Sequence, residues 1–440
     1  MTTIPKSFLL GAATAAYQIE GAVTDDGRGV SIWDVFSHQN GRIQGGDTGD
    51  IACDHYHRYK EDIHIMKEIG LDAYRFSIAW PRLFPTKSGG LNETGLDFYR
   101  KLIDGLLEAG IKPAATLYHW DLPQALMDEG GWTNRETAKR FADYAHTVFT
   151  RLGDDISMYI TLNEPWCSSV LGHLLGEHAP GLHDLEATIA ASHHLLLGHG
   201  LALEAFRGEN LKSARIGITN ILTHNVPASD AEEDLQATDK ADAVFNRWFL
   251  HPLFRGEYPE LQQAFGIGSV VRPGDLELIS QAVDFIGVNY YSTNIVSANP
   301  SDPLLGLTLE PPGTERTEMG WGIAPEGLHA LLLRLHEDYT KVPIYITESG
   351  AAFRDQVVNG TVQDRQRIDY IRAHLEQVLR ARAEGVDVQG YFVWSLLDNF
   401  EWAFGYSKRF GLVYVDYETQ ERIWKQSAKW YQEIIHSRKL

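Results

Sequence analysis

The segments MYITLNEP at residues 158–165 and PIYITESG at residues 343–350 share one pattern. In each, a run of β-branched and aromatic residues, typical of a buried β-strand, ends at a single glutamate, Glu164 or Glu348. The chain then meets proline or glycine, which interrupt regular structure. The two glutamates are far apart in the chain, so only the fold can bring them together.

Strand-like runs of this kind recur along the whole sequence and alternate with amphipathic helical patterns. Eight are predicted, at residues 8–17, 73–80, 113–120, 158–164, 214–222, 285–291, 344–348 and 390–397. Helices are predicted over residues 56–69, 96–109 and 368–383, and glycine, a usual residue just past a helix end, follows each of them closely.

The alternation of β and α units predicts a parallel sheet, and eight units predict a closed (β/α)₈ TIM barrel. The barrel is predicted to be a single catalytic domain over residues 1–440 with long βα loops. A doubly wound open sheet is the alternative. Its dinucleotide-binding version is weakened because no Gly-x-Gly-x-x-Gly occurs at a strand-to-helix turn.

Composition limits the classes of partner. The net charge of −20 disfavours nucleic acid and anionic membranes, which attract basic patches. The N-terminal residues lack the apolar run of a signal peptide, and no uncharged apolar run reaches the roughly 18 residues of a membrane span. With only two cysteines, Cys53 and Cys167, a reduced compartment is expected, and the protein is predicted to be cytoplasmic.

Polar and aromatic residues collect where the predicted strands end. They are Gln18 and Glu20 after the first strand, Arg75 on the second, His119 and Trp120 on the third, Asn163 and Glu164 on the fourth, Asn289, Tyr290 and Tyr291 on the sixth, Glu348 on the seventh, and Trp394, Asn399, Glu401 and Trp402 on and after the eighth. The carboxyl ends of barrel strands form the face where barrel active sites lie.

The two glutamates suit cleavage of a glycosidic bond, which needs one carboxyl group to give a proton and another to attack or to activate water. On strands four and seven they would face each other across the barrel mouth. Arg75, expected on a neighbouring strand, would stabilise one carboxylate, while burial or like charge would raise the pKa of the other.

These residues lie in segments that resemble glycoside hydrolase family 1, the β-glucosidase family. The matching segments are residues 8–21, 74–80, 118–123, 161–165, 289–291, 346–350 and 398–402, in order along the whole chain. The resemblance implies a (β/α)₈ barrel that hydrolyses β-glycosides with retention of configuration, with no cofactor and no metal. The implied enzyme is an exo-acting β-glucosidase that releases terminal β-D-glucose from β-glucosides and cello-oligosaccharides, with β-galactosides and β-fucosides as further candidate substrates.

The resemblance also implies residue roles. Glu164 would be the acid/base and Glu348 the nucleophile, which Arg75 and Tyr291 would contact. Substrate-binding roles fall on Asn163 for the sugar 2-hydroxyl, on Gln18, His119, Trp120, Glu401 and Trp402 for the outer hydroxyls, on Trp394 beneath the ring and on Phe410 near C6. Trp166 and Trp321 would line the leaving-group side.

Several positions bear on the alternatives. Ser349 and Ala324 depart from the family pattern of asparagine and an aromatic residue, which leaves leaving-group preference open. The 6-phospho-β-glucosidase branch has serine in place of Glu401, so Glu401 favours an unphosphorylated sugar, and Lys408 is expected either to neutralise Glu401 or to lie at the surface. A non-catalytic carbohydrate-binding barrel would have lost one or both carboxylates.

No metal site is predicted. His55 with His57, and His193 with His194, are the candidate pairs, but a site needs three or four converging ligands. Cys167 lies just past Glu164 and could line a wall of the site, but it is interpreted as a small buried hydrophobic residue. The only partner predicted is the small-molecule β-glycoside, and the oligomeric state is left open as monomer or homo-oligomer.

Overall fold

The computed structural model describes residues 2–86 and 89–440. Its centre is a closed barrel of eight parallel strands in which each strand pairs with the next one along the chain and the first pairs with the last. The strands are β1 Leu9–Ala13, β2 Ala73–Ser77, β3 Lys112–Tyr118, β4 Met158–Asn163, β5 Arg215–Ile221, β6 Phe285–Asn289, β7 Ile344–Ser349 and β8 Val388–Trp394. The predicted barrel is therefore confirmed, and the open sheet is excluded.

Seven of the eight barrel strands end one to four residues earlier than predicted, and three of them show the pattern. The sequence extends the first to residue 17, the third to 120 and the eighth to 397, whereas β1 ends at Ala13, β3 at Tyr118 and β8 at Trp394. The extra residues are as buried as the strands, so hydrophobicity alone did not mark the boundary. The consequence is functional, because the side chains just past these ends lie in the loops at the barrel mouth.

Helices follow the strands and cover the barrel. The main ones are α1 His55–Ile69, α2 Glu93–Glu108, α3 Glu136–Leu152, α4 Leu185–Glu209, α5 Trp248–Arg255, α6 Pro325–Asp338, α7 Arg365–Ala383 and α8 Gln426–Ser437. Helix α1 ends as predicted at Gly70, whose φ of 82° suits glycine and whose N–H donates to the Met66 carbonyl at 3.0 Å.

Shorter elements fill the loops. Additional helices are Ala16–Ile19, Ile32–Ser37, Trp80–Leu83, Gln124–Met127, Glu232–Asp242, Glu260–Ala264 and Asp275–Ile279, with π-helical turns at Cys167–Leu174 and Ala243–Arg247. Small sheets are formed by His224–Pro227 with Thr293–Ala298 and Leu307–Glu310, by Val357–Val358 with Thr361–Val362, and by Val413–Val415 with Arg422–Trp424.

Packing outside the barrel fixes β4, the strand that leads to Glu164. Tyr159 of β4 is fully buried and lies edge-on to Phe149 of α3, at 5.0 Å between ring centroids, and to Phe206 of α4, at 5.8 Å. Edge-to-face contacts of this kind add to the burial of the rings. Helices α3 and α4 thus pack against the outer side of β4, while its carboxyl end faces the barrel mouth.

Within residues 2–86 and 89–440, no helix combines the length and apolar character that crossing a bilayer would require.

Candidate active site

Glu348 lies at the end of β7, is 3% exposed, and accepts one strong hydrogen bond on each carboxylate oxygen. The Arg75 guanidinium donates to Oε1 at 2.6 Å, and the Tyr291 hydroxyl donates to Oε2 at 2.6 Å. Arg75 belongs to β2, whose neighbours are β1 and β3, so the expectation of a neighbouring strand is wrong. The arginine instead reaches Glu348 across the inside of the barrel.

Arg75 is itself fully buried and fixed by three other acceptors. Its Nε donates to Thr116 Oγ1 at 3.1 Å, its Nη1 donates to the Thr347 carbonyl at 3.1 Å, and its Nη2 donates to Asn163 Oδ1 at 2.7 Å. A planar guanidinium held at several points keeps its charge in one place. The orientation of Glu348 is set by this group.

Glu164 follows β4 directly and has different neighbours. It is 4% exposed, its φ is 46°, and its N–H donates to the Thr219 carbonyl at 2.9 Å. Its Oε1 accepts from Asn289 Nδ2 at 2.6 Å and its Oε2 accepts from Cys167 Sγ at 3.1 Å. In the described part of the chain, no lysine or arginine forms an ion pair with it.

Asn289 connects the surroundings of the two carboxyl groups. Its Nδ2 also lies 3.0 Å from Asn163 Oδ1, and its Oδ1 accepts from Thr347 Oγ1, next to Glu348, at 2.8 Å. The sequence marked Asn289 as a strand-end residue without a role. Its contact with Glu164 appears only when β6 is placed between β5 and β7.

The two environments affect the carboxyl groups differently. Burial and the charge of Glu348 raise the pKa of Glu164 to about 8. Burial also raises the pKa of Glu348, but the Arg75 charge and the bonds from Tyr291 and Arg75 counteract this. Glu164 is therefore suited to carry a proton near neutral pH, and Glu348 to be the anion.

Two polar side chains at the barrel mouth keep one buried atom each without a protein partner in the described chain. Gln18 donates through Nε2 to Asn399 Oδ1 at 3.0 Å and to the Phe400 carbonyl at 2.9 Å, which leaves Oε1. His119 Nε2 lies 3.0 Å from Asn163 Nδ2, which leaves Nδ1. Buried polar atoms normally have partners, so these two atoms are available to a hydroxyl-rich ligand.

Glu401 adds a third buried carboxyl group to the same pocket. Gln18 Nε2 lies 3.5 Å from its Oε2, and burial followed by the charges of Glu348 and Glu164 raises its pKa to about 8. Lys408 does not neutralise it, contrary to one expectation, because Lys408 Nζ donates to the Glu318 carbonyl at 2.7 Å. The side chain of Lys408 is partly exposed, which is compatible with the other expectation of a surface position.

Aromatic rings cluster beside these groups. Trp402 lies 4.4 Å from Trp120 and His119 stacks near Trp394 at 5.9 Å between ring centroids. The Trp120 indole N–H donates to the Asn163 carbonyl at 2.9 Å and so supports the segment that ends in Glu164, while its contact with the sugar stays a prediction.

Three residues of the site have left-handed backbones. Trp120, Glu164 and Trp402 have φ values of 80°, 46° and 48°. Such conformations cost about 1–3 kcal/mol each outside glycine and cluster at functional sites. Trp120 and Glu164 lie just past the ends of β3 and β4, and Trp402 lies in the loop that follows β8.

Two further groups of aromatic rings contain the residues implied for the leaving-group side. Trp166 lies 5.2 Å from Phe245, and Trp321 lies 5.2 Å from Tyr291 and 6.3 Å from Phe410. Phe245 was not foreseen, because it belongs to a π-helical turn in the long β5–β6 connection that carries no strand-end signal.

The two departures from the family pattern lie at the edge of this site. Ser349 is fully buried beside β8, and Ala324 accepts a hydrogen bond on its carbonyl from the Tyr290 hydroxyl at 2.5 Å. Ala324 therefore takes part through its backbone carbonyl, a contact that does not depend on which side chain stands at this position.

The candidate metal pairs have other partners. His55 Nδ1 lies 2.7 Å from Asp62, and His193 bridges Asp275 at 2.8 Å and the Tyr258 hydroxyl at 2.9 Å. Across the described ranges, no group of three or more His, Cys, Asp or Glu side chains is arranged to hold a metal ion.

Comparison with known proteins agrees with this geometry. The family model described as glycosyl hydrolase family 1 matches residues 1–440. The chain is 51% identical over 443 residues to a protein named beta-glucosidase A from Acetivibrio thermocellus, with 98% of both chains covered. It is 50% identical over 463 residues to a bifunctional beta-D-glucosidase/beta-D-fucosidase from Bifidobacterium breve, with 99% of both covered. The solved family 1 β-glucosidase from Thermotoga maritima superposes with a TM-score of 0.96 at 48% identity, over 100% of this chain and 99% of that one.

Proposed function

The chain belongs to glycosyl hydrolase family 1, and on this basis we propose that it is a retaining, exo-acting β-glucosidase. It releases terminal non-reducing β-D-glucose from β-glucosides and cello-oligosaccharides by double displacement. The observation that carries the proposal is the unequal pair of buried glutamates. Glu348 bonds to a guanidinium, whereas Glu164 has only neutral donors and a pKa of about 8.

In the first step, Glu348 attacks the anomeric carbon and the bond to the leaving oxygen breaks, while Glu164 gives its proton to that oxygen. The product is a covalent glycosyl-enzyme and the released alcohol. Arg75 and Tyr291 hold the Glu348 carboxylate in line for the attack. With its proton gone, Glu164 is an anion.

In the second step, Glu164 takes a proton from a water molecule, and the oxygen of that water attacks the anomeric carbon. The bond to Glu348 breaks, Glu348 becomes a carboxylate again, and Glu164 regains its proton. Each step inverts the configuration at the anomeric carbon, so the two steps together retain it. Neither step requires a cofactor.

The hydroxyls of the glucose unit bond to the groups at the barrel mouth. Gln18 Oε1 accepts from a hydroxyl and His119 Nδ1 donates to one, since neither atom has a protein partner in the described chain. Glu401, whose Oε2 is 3.5 Å from Gln18 Nε2, is a further acceptor. Asn163 takes the 2-hydroxyl, and Trp394, Trp402 and Phe410 supply apolar surface to the ring and its C6 end. Trp166, Phe245 and Trp321 border the leaving group.

A 6-phospho-β-glucosidase is the second candidate, and the charges disfavour it. A phosphate would enter a pocket with three carboxyl groups, and the nearby Lys408 ammonium is bonded to the Glu318 carbonyl. A non-catalytic binding barrel is disfavoured because both carboxyl groups are present and buried.

The proposal extends to the domain organisation and the cellular setting of the protein. The whole chain acts as one catalytic domain, is cytoplasmic, and serves the breakdown of cellulose fragments. Both cysteines are free, as expected in a reduced compartment. The name of the Bifidobacterium relative supports β-fucosides as further substrates.

The test is release of nitrophenol from matched β-glucoside, β-galactoside, β-fucoside and 6-phospho-β-glucoside substrates, with proton NMR of the first product. We expect the β-glucoside to be cleaved well, the phosphorylated substrate hardly at all, and β-glucose to appear before α-glucose. Initial α-glucose would contradict double displacement. Equal cleavage of the β-glucoside and the 6-phospho-β-glucoside would instead place the chain among the 6-phospho-β-glucosidases.

A further inference from the structure

Cys167 contacts the catalytic centre, whereas the sequence favoured a small buried hydrophobic residue over one that lines the site. It is buried, and its Sγ lies 3.1 Å from Oε2 of Glu164. The other oxygen, Oε1, accepts from Asn289. Each oxygen of this carboxyl group therefore has one protein donor, and the thiol is one of the two.

The backbone keeps the thiol in this position. Cys167 begins the π-helical turn Cys167–Leu174, and its N–H donates to the Glu164 carbonyl at 2.9 Å. Glu164 is fixed in turn by its N–H bond to Thr219. The two residues are thus joined through both main chain and side chain.

A thiol differs from the Asn289 amide in what it can offer. The amide nitrogen only donates, whereas a thiol donates weakly through S–H and accepts weakly on sulfur. Glu164 must alternate between acid and anion within one catalytic cycle. Cys167 can donate to the anion and can accept from the acid when the proton is on Oε2.

We propose that Cys167 is a positioning residue that holds the Glu164 carboxyl group and helps to set the pH at which it releases its proton. This inference rests on the proposed function, in which Glu164 is the acid/base. Burial raises the pKa of the Cys167 thiol well above its usual range, so it stays a neutral donor.

Other charged and titratable groups also face Glu164 and must remain unchanged in a test. They are Glu348 on β7, Arg75 on β2, Tyr291 after β6 and Glu401 after β8. None of them is altered by a substitution at Cys167, so a shift in the titration of Glu164 can be assigned to the lost thiol.

The direction of the shift follows from the donor. A hydrogen bond to the ionised form lowers a carboxyl pKa, so its removal raises it. In Cys167→Val, a change of similar volume without a donor, we expect the pKa of Glu164 to rise by about half a unit, a roughly threefold change in the acid–base ratio. Cys167→Ser keeps a donor and should leave the pKa unchanged or lower.

The experiment measures the Glu164 pKa in two ways. Carbon NMR titration of labelled glutamate in the resting enzyme needs no turnover, and the basic limb of kcat/KM for a substrate with a poor leaving group reports the same group. With a dinitrophenyl β-glucoside, Cys167→Val should keep kcat/KM. Its kcat should fall about threefold at pH values below the pKa that Glu164 has in the glycosyl-enzyme, because the second step needs ionised Glu164.

Cys53→Val is the matched control, since the Cys53 thiol is fully buried but donates to the Asp398 carbonyl at 3.0 Å. It should leave the titration of Glu164 unchanged. An unchanged titration in Cys167→Val, or an equal upward shift in the valine and serine variants, would overturn the positioning role. Wild-type protein that does not cleave β-glucosides would instead refute the proposed function, and the NMR titration would still decide the role of the thiol.

Discussion

Glu164 and Glu348 are the same residue type, at the same kind of strand end, and almost equally buried. They differ in what surrounds them. Glu348 accepts from Arg75 and Tyr291, whereas Glu164 accepts from Asn289 and Cys167. Chemical role is therefore set by the partners that the barrel supplies, because a cation favours the anion and burial without a cation favours the acid.

The largest effect is expected from removing the nucleophile. Glu348→Ala should reduce turnover of nitrophenyl β-glucoside by several orders of magnitude, because the covalent route is lost. Added azide should then restore reaction with an activated β-glucoside and yield the α-glycosyl azide, as NMR of the product would show. A β-glycosyl azide would reverse the two assignments.

Substitution of the other glutamate should have an effect that depends on the leaving group. Glu164→Gln should impair cellobiose cleavage far more than dinitrophenyl glucoside cleavage, because only the poorer leaving group needs a proton. In the wild type, kcat/KM for the poor leaving group should fall as pH rises through about 8, where Glu164 loses its proton. That basic limb should vanish in the variant. Equal losses on both substrates would argue against the acid role.

Glu401→Ser tests the third carboxyl group. It should lose most activity on nitrophenyl β-glucoside, by roughly a hundredfold if its two hydrogen bonds to sugar hydroxyls are lost. The difference in kcat/KM between this substrate and its 6-phosphate should narrow, because the phosphate no longer meets a carboxyl group that repels it whenever it is ionised. Steady-state kinetics on both substrates would check this, and an unchanged ratio of the two efficiencies would exclude Glu401 as the selector of sugar charge.

The smallest effect concerns one hydrogen bond. Tyr291→Phe removes the donor at 2.6 Å from Glu348, and loss of a donor to an anion raises the pKa of that group. The acidic limb of kcat/KM should move up by about one unit, the scale of a hydrogen bond to a charged group. Tyr290→Phe is the matched control, because that hydroxyl bonds to Thr293 and the Ala324 carbonyl. A shift of equal size in both variants would contradict a specific role for Tyr291.

The barrel could be predicted from sequence because its strands are buried on both faces and its helices end at glycines such as Gly70. The carboxylate pair could be predicted because both glutamates follow a strong strand signal. The neighbours of each carboxylate could not. Arg75 meets Glu348 only across the closed barrel, and β6 brings Asn289 to Glu164 through its place in the sheet.

The local geometry of individual side chains could not be predicted from the sequence either. The sequence does not show that the Trp120 N–H is taken by the Asn163 carbonyl, or that a π-helical turn aims Cys167 back at Glu164. Both contacts follow from backbone conformations at the strand ends that residue patterns do not encode. The hydrogen bond of Lys408 could not be predicted for the same reason, since its acceptor, the Glu318 carbonyl, lies on a different loop.

The most direct test of the division of roles is to trap the covalent intermediate. A 2-deoxy-2-fluoro-β-glucoside with a dinitrophenolate leaving group should form the glycosyl-enzyme and slow its hydrolysis, so that the label can be located by proteolysis and mass spectrometry. We expect one fluorosugar per chain, attached to Glu348. A label on Glu164, or inactivation without any covalent label, would contradict the assignment of nucleophile and acid.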